Sequence, residues 1–426
     1  MQTLSPPHIQ DRFDVYRFYN GLSVEGKEGL DKRRTRIPLV KSFLLEHIDN
    51  KRNDGRQKTP EEIFRTLVPE IRRIDDTFTE IRDDVKDTES KTISRQTTGF
   101  LEVLDNRFFA YYTCEASIPA KRRVGRWVQS PDLDHTWFSS PLLQALWNGD
   151  VSKRGDDRFG KLIFSHESIF DMPDDSATND SEDEDSEETN TEESDEENHN
   201  EEKVEFERRK ARFEMKDRVG KIKQSLQTLQ ENYAPLYALY GLRLPSFSGR
   251  GGHDLWQNGQ ITNRTDCFEA HRNTVNYLYK IYKAILDNTE EAAWPGTQSK
   301  QAFHMGTRGA PLIMKFDEPL SEAIFNRWVQ RAFQKKNPFK LWGVPISLGR
   351  TKVHVYGADR HLWQPINLEI TASGMVAILP QGTCGNTIHR LVANVQHYVS
   401  PKIEAWVGGT PYTEIVKQAS EVPYEA

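Results

Sequence analysis

Residues 171 to 203 read DMPDDSATNDSEDEDSEETNTEESDEENHNEEK. From Asp171 to Glu202 the segment carries 17 acidic residues and no Lys or Arg. It has too few apolar groups to offset chain entropy and is expected to be a disordered connector. It also dominates the charge. Without it the 64 acidic residues fall to 47 against 57 basic, so the remaining chain is net positive by about 10. The overall charge of −7 therefore averages two unlike parts, and the basic part suits a polyanionic partner.

The 426 residues give room for two to four domains, and nine Trp with a 36% hydrophobic content are enough for real cores. Cys114, Cys267 and Cys384 lie far apart with no CxxC pair. That pattern excludes a disulfide framework and a cysteine-rich zinc module. The first residues, MQTLSPPHIQDRFDVYRFY, lack the layout of an export signal, and no run approaches the length of a membrane span. The expected setting is cytoplasmic.

Apolar spacing sets the expected organisation. Thr59-Pro-Glu-Glu62 is a capping-box helix start. Ile71, Ile74, Phe78, Ile81 and Val85 repeat at three and four residues, and residues 36–49 have a similar pattern, so both read as helices. Residues 100–116 alternate around an Asp-Asn turn and read as a β-hairpin. Met215, Val219, Ile222, Leu226, Leu229 and Tyr233 predict one basic helix, and Val275, Leu278, Tyr282 and Ile285 another, with a loop over 249–266 between them. The C-terminal order is strand, helix, three strands, helix, strand, close to the split βαβ plan. The expected fold class is a multi-domain α+β protein, with helical N-terminal and central regions and a C-terminal ferredoxin-like sandwich. Its expected divisions are 1–170 (helical with the hairpin), 171–205 (acidic connector), 206–300 (helical hairpin), 301–412 (ferredoxin-like) and 413–426 (tail).

The most site-like stretch is Met375–Thr387, MVAILPQGTCGNT, a strand running through glycines into a helix. A phosphate loop would need Gly where Pro380 stands and Lys where Asn386 stands, and only 39 residues follow Thr387. Nucleotide hydrolysis through this loop is excluded by the missing positive charge. Two chemistries are compatible with it. In the first, Cys384 before a helix start is a nucleophile, with His354 or His361 as base, Asp359 as orienting group and His389 one turn into the helix. In the second, the amides around Gly382, Thr383, Gly385, Asn386 and Thr387, with Arg360 and Arg390, hold an anionic group. The plain alternative is a tight turn with a small buried thiol.

Two further clusters are weaker. Lys121, Arg122, Arg123, Arg126 and Trp127 mix positive charge with an aromatic ring, as nucleic-acid contacts do, but a solvated basic loop has the same composition. His253, Asp254 and His271 lack the spacing of a zinc site. No metal and no cofactor is expected. The expected role is a non-catalytic adaptor or regulatory protein that binds protein partners, of the kind found in prokaryotic defence or conflict systems. A cysteine hydrolase and a nucleic-acid-binding protein are the alternatives.

Overall fold

The computed structural model describes residues 9–28, 39–47, 58–86, 93–151, 155–170, 210–246, 251–301, 304–334 and 337–419. The acidic connector expected over 171–205 lies outside the described residues, as do the last seven positions of the expected tail.

Eleven strands form a first antiparallel sheet. They are β1 (Lys41–Glu46), β2 (Glu70–Arg73), β3 (Phe78–Lys86), β4 (Ile93–Val103), β5 (Phe108–Thr113), β6 (Asp134–His135), β7 (Phe159–His166), β8 (Ala211–Arg218), β9 (Leu239–Pro245), β10 (Gly252–Trp256) and β11 (Gln260–Asn263). Their order is β2-β3-β4-β5-β1-β11-β10-β9-β7-β8, with β6 beside β1. A small ribbon pairs β12 (Gly296–Gln301) with β13 (His304–Arg308). A second sheet contains β14 (Leu312–Phe316), β15 (Leu341–Gly349), β16 (Lys352–Asp359), β17 (Gln364–Thr371), β18 (Gly374–Ile378), β19 (Ile403–Val407) and β20 (Thr410–Pro411). It is ordered β15-β16-β17-β18-β14-β19-β20 and is antiparallel throughout.

This arrangement overturns the expected α+β fold with helical N-terminal and central regions and a ferredoxin-like end. The described chain is built on two large antiparallel sheets, one of them running through its N-terminal and central parts. The reason is visible in how the first sheet is covered. Phe43 and Leu45 pack on one face with Ile63, Phe64, Val124 and Trp127, while Leu44 packs on the other with Tyr282 and Leu286. A strand buried on both faces has no period of two, so β1 read as part of a helix. The same holds for Phe78 and Ile81, three residues apart and both fully buried, which face opposite cores from one strand. Their helical spacing is a coincidence of two-sided burial. The expected loop over 249–266 contains the hairpin β10-β11, and Met215 lies on β8 before the helix Val219–Asn232 begins.

Local signals fared better. Thr59 accepts from Glu62 N and Glu62 returns the bond, a complete capping box on the helix Pro60–Phe64. The helix Phe268–Ala293 buries Val275, Leu278, Tyr282 and Ile285, all at 0% exposure. No helix among the described residues is long and apolar enough to cross a membrane.

One element joins the two sheets. The helix Asn386–Tyr398 is buried on every side from Asn386 to His397. Ile388, Leu391, Val392 and Val395 belong to the same apolar cluster as Leu44 of the first sheet and Val355, Leu368 and Met375 of the second. The helix also buries Asn386, Thr387, His389, Arg390 and Asn394. Buried polar groups are costly unless bonded, so their partners define the centre of the molecule.

Candidate functional site

Between β18 and this helix, the glycine loop is held by side chains from elsewhere. Thr383 N and Oγ1 both donate to Pro380 O, at 3.1 and 2.8 Å. Gln364 Nε2 donates to Gly382 O at 2.8 Å, and its Oε1 accepts from Cys384 N at 2.7 Å. Glu290 Oε1 accepts from Gly385 N at 2.9 Å. The two glycines have different reasons. Gly382 has φ 85°, which glycine adopts without strain. A Cβ on Gly385 would stand 2.6 Å from Glu290 Cγ, so close approach demands its absence. Of the amides expected to hold an external anion, those of Thr383, Gly385 and Thr387 already donate to Pro380 O, Glu290 and Cys384 O, and the Cys384 amide between them donates to Gln364.

The loop delivers Cys384 into a fully buried cluster. Its Sγ lies 3.0 and 3.3 Å from the two carboxylate oxygens of Glu46, at the end of β1. His361, in the turn between β16 and β17, points Nε2 to 3.3 Å from Glu46 Oε2. All three side chains are at 0% exposure, and one ligand-type atom from each fits within 4.8 Å of the others. Arg107 closes one side. Its Nε donates to Glu46 Oε1 at 2.8 Å, its Nη2 to Glu290 Oε1 at 2.6 Å, and Nη2 stands 3.6 Å from Cys384 Sγ.

A second ionic group adjoins it. Arg390 bridges Asp134 and Asp359, and also donates from Nε to Phe339 O at 3.0 Å. Lys340 Nζ stands 3.2 Å from Asp134 Oδ1 and donates to Leu133 O at 3.0 Å. Asp359 Oδ1 accepts from the His361 backbone N at 2.9 Å, and its Oδ2 accepts from Thr387 Oγ1. The backbone is strained here: Lys340, Leu362 and Trp363 have φ of 52°, 63° and 51°, and they are the non-glycine residues with positive φ among those described. Such conformations cost about 1–3 kcal/mol each and persist where the surroundings impose them. Leu362 and Trp363 directly follow His361, so the strain is the turn that aims the imidazole inward.

Electrostatics follow from burial and pairing. Burial alone would raise the Glu46 carboxyl, but Arg107, with His361 and Cys384 as further partners, holds it at about 2. Burial pushes the Cys384 thiol well above its ordinary value; Glu46 adds to this and Arg107 offsets only part. Asp134 is held well below the carboxylate range by Lys340 and Arg390 in spite of its burial. Burial lowers His389 to about 3 and His135 to about 4, so both stay neutral. The Arg390 pairs are worth much to keep: breaking one partner of a buried pair costs about 3–5 kcal/mol.

Of the residues singled out from sequence, the structure brings Cys384, His361, Asp359, Thr387, Asn386 and Arg390 into this centre. It leaves His354 elsewhere, on the outer face of the second sheet, with Nε2 2.6 Å from Glu369 Oε2. Arg360 is half-buried, and its backbone N donates to Lys340 O at 2.8 Å. His389 Nδ1 meets Tyr412 Oη at 2.5 Å. A reactive cysteine needs thiolate character and access; Cys384 has a raised pKa and no exposure. In the 121–127 patch, Arg123 is buried against Glu115 and Asp83, Arg126 Nη2 is 3.1 Å from Asp83, and Trp127 is core. Lys121 lies 5.8 Å from the Trp256 ring centroid, and Arg122 is exposed. His253 and His271 stack in the core with centroids 5.2 Å apart, while Asp254 pairs with Arg243 and Arg264.

Glu46, Arg107, Glu290 and Asp134 were not visible as site residues. Glu46 did leave one sign: it is a carboxylate in the otherwise apolar run Phe43–Glu46, where an unpaired charge would be too costly to bury.

No solved structure matches the chain. A protein of Methanocaldococcus jannaschii called MJECL33 is 27% identical over 143 residues, which is 34% of this chain and 33% of that protein. The chain thus spans about a third of the length of this curated relative. The family model for MJECL33-like proteins matches residues 17–413, and the chain belongs to that family.

Proposed function

We propose that the chain is a non-catalytic intracellular protein that works by binding, and that it docks a protein surface on the outer face of its second sheet. One observation carries this reading. Trp342, Val344, Ile346 and Leu348 alternate along the edge strand β15 and are 51–69% exposed, and Tyr356, the register partner of Val344, is 70% exposed. The opposite face of the sheet is an ordinary core, with Val353, Val355, Leu368 and Ile370 buried. Single exposed apolar side chains are normal, whereas a contiguous row of five marks an interaction surface. Docking is face-on. Pro345 sits in the middle of β15 and offers no N–H to a strand that would add to the edge.

The occupant is a second copy of the chain. The row runs straight along one strand, so a two-fold axis through Pro345 lays Val344 on Ile346 and Trp342 on Leu348 of the other copy, an isologous contact. Such a row is too apolar for nucleic acid, whose affinity comes chiefly from phosphate neutralisation. The three cysteines are free, which suits a reducing compartment.

Sedimentation equilibrium across a wide concentration range tests the proposal. Wild type is expected to self-associate, and Val344→Glu/Ile346→Glu to remain monomeric with an unchanged circular-dichroism spectrum. A wild type that stays monomeric throughout contradicts it.

A further inference from the structure

We propose that Glu46, His361 and Cys384 form a binding site for one divalent transition-metal ion of the zinc class. The donors are one carboxylate oxygen, one imidazole nitrogen and one sulfur, a mixed set that selects such ions over magnesium or calcium. Their spacing fits. With metal–ligand bonds of 2.0 to 2.3 Å, a tetrahedral ion separates its ligands by about 3.4–3.6 Å. Glu46 and Cys384 are 3.0–3.3 Å apart, His361 is 3.3 Å from Glu46, and all three donor atoms lie within 4.8 Å of one another, a cluster that one ion can reach after side-chain adjustment.

A second observation points the same way. His361 is fully buried, yet neither of its ring nitrogens makes a hydrogen bond of proper geometry, and Nε2 is aimed at the Glu46 carboxylate. A buried ring nitrogen held only by a 3.3 Å contact is poorly satisfied, and a metal at Nε2 would give that nitrogen a full bond, with Nδ1 left facing the interior. The charges also balance. On binding, the Cys384 S–H bond breaks, its proton leaves to solvent and the S–metal bond forms. Thiolate, carboxylate and a doubly charged ion sum to zero. Arg107 remains paired with Glu290, 2.6 Å away, beside the ligands.

The three ligands come from β1 of the first sheet, the β16–β17 turn of the second, and the loop entering the central helix. The ion would therefore tie the sheets together. Three protein ligands leave a fourth position for water.

The test uses the full chain, stripped with a chelator and titrated with cobalt(II) alone. Expected are one cobalt per chain, a thiolate-to-cobalt charge-transfer absorption, release of one proton per ion and a higher melting temperature. Cys384→Ala should abolish the absorption. Because that variant can fail to fold, Cys114→Ser/Cys267→Ser is measured beside it, where Cys384 is the sole thiol and the absorption must persist. Wild type without the absorption in millimolar cobalt overturns the proposal, as does its disappearance from the Cys114→Ser/Cys267→Ser protein while that protein remains folded.

Discussion

Glu46 shows how a single buried carboxylate can govern stability. Its folded pKa of about 2 lies below the ordinary carboxylate range because Arg107, His361 and Cys384 favour the anion more than burial disfavours it. Below the ordinary carboxylate pKa the unfolded chain takes up a proton that the folded chain refuses. The Glu46 contribution is therefore complete above about pH 5 and is lost as pH falls toward 2. Wild type should exceed Glu46→Gln by roughly 3 kcal/mol at pH 7, with the gap closing between pH 5 and 2. Urea unfolding of both proteins over that range checks it, and a constant gap would contradict the assignment. His389 and His135 also weaken the fold in acid, since they charge only on unfolding. His135 is unaffected by the substitution and cancels in the comparison, whereas the Glu46 charge raises His389, so His389 costs the Glu46→Gln protein slightly more in acid. At this scale the sequence was partly legible. Cys384, His361 and Asp359 stood out by residue type and context. Glu46, 338 positions before Cys384, could not be connected to it by any spacing rule.

Among the elements, the loop before the central helix is the most exacting. Gly385→Ala would drive a Cβ into Glu290, which is itself fixed by Arg107. The expected loss is about 1–3 kcal/mol, measured by urea unfolding. Gly382→Ala has open space around it and suffers mainly from its φ of 85°, at roughly 1 kcal/mol. Equal and negligible losses would mean that the loop is not clamped as described. Element identity was legible where a helix has one buried face or a recognisable cap, as in Phe268–Ala293 and at Thr59. It was illegible where both sides of a strand are covered. Phe43, Leu44 and Leu45 are consecutive and all at 0% exposure, and such a run carries no information about period. β15 was missed although its apolar residues alternate, because Pro345 in the middle of the run argues against a strand.

Across the whole molecule, two antiparallel sheets meet on one helix that neither could leave exposed. Arg390, the charged residue on that helix, is neutralised by Asp134 of the first sheet and Asp359 of the second, so the seam is specified by pairing as well as by packing. This leaves the outer face of β15 and β16 as an apolar surface still open to a partner. Cross-linking tests its role most directly. A Val344→Cys substitution in the Cys114→Ser/Cys267→Ser background places a thiol beside the proposed two-fold axis. A Phe159→Cys control, at a site 76% exposed on the other sheet, reports random collision. With a short bismaleimide, the Val344 variant should form covalent dimers rapidly while the Phe159 variant does not. Equal, slow cross-linking of both would contradict the claim that this chain acts through its outer sheet face.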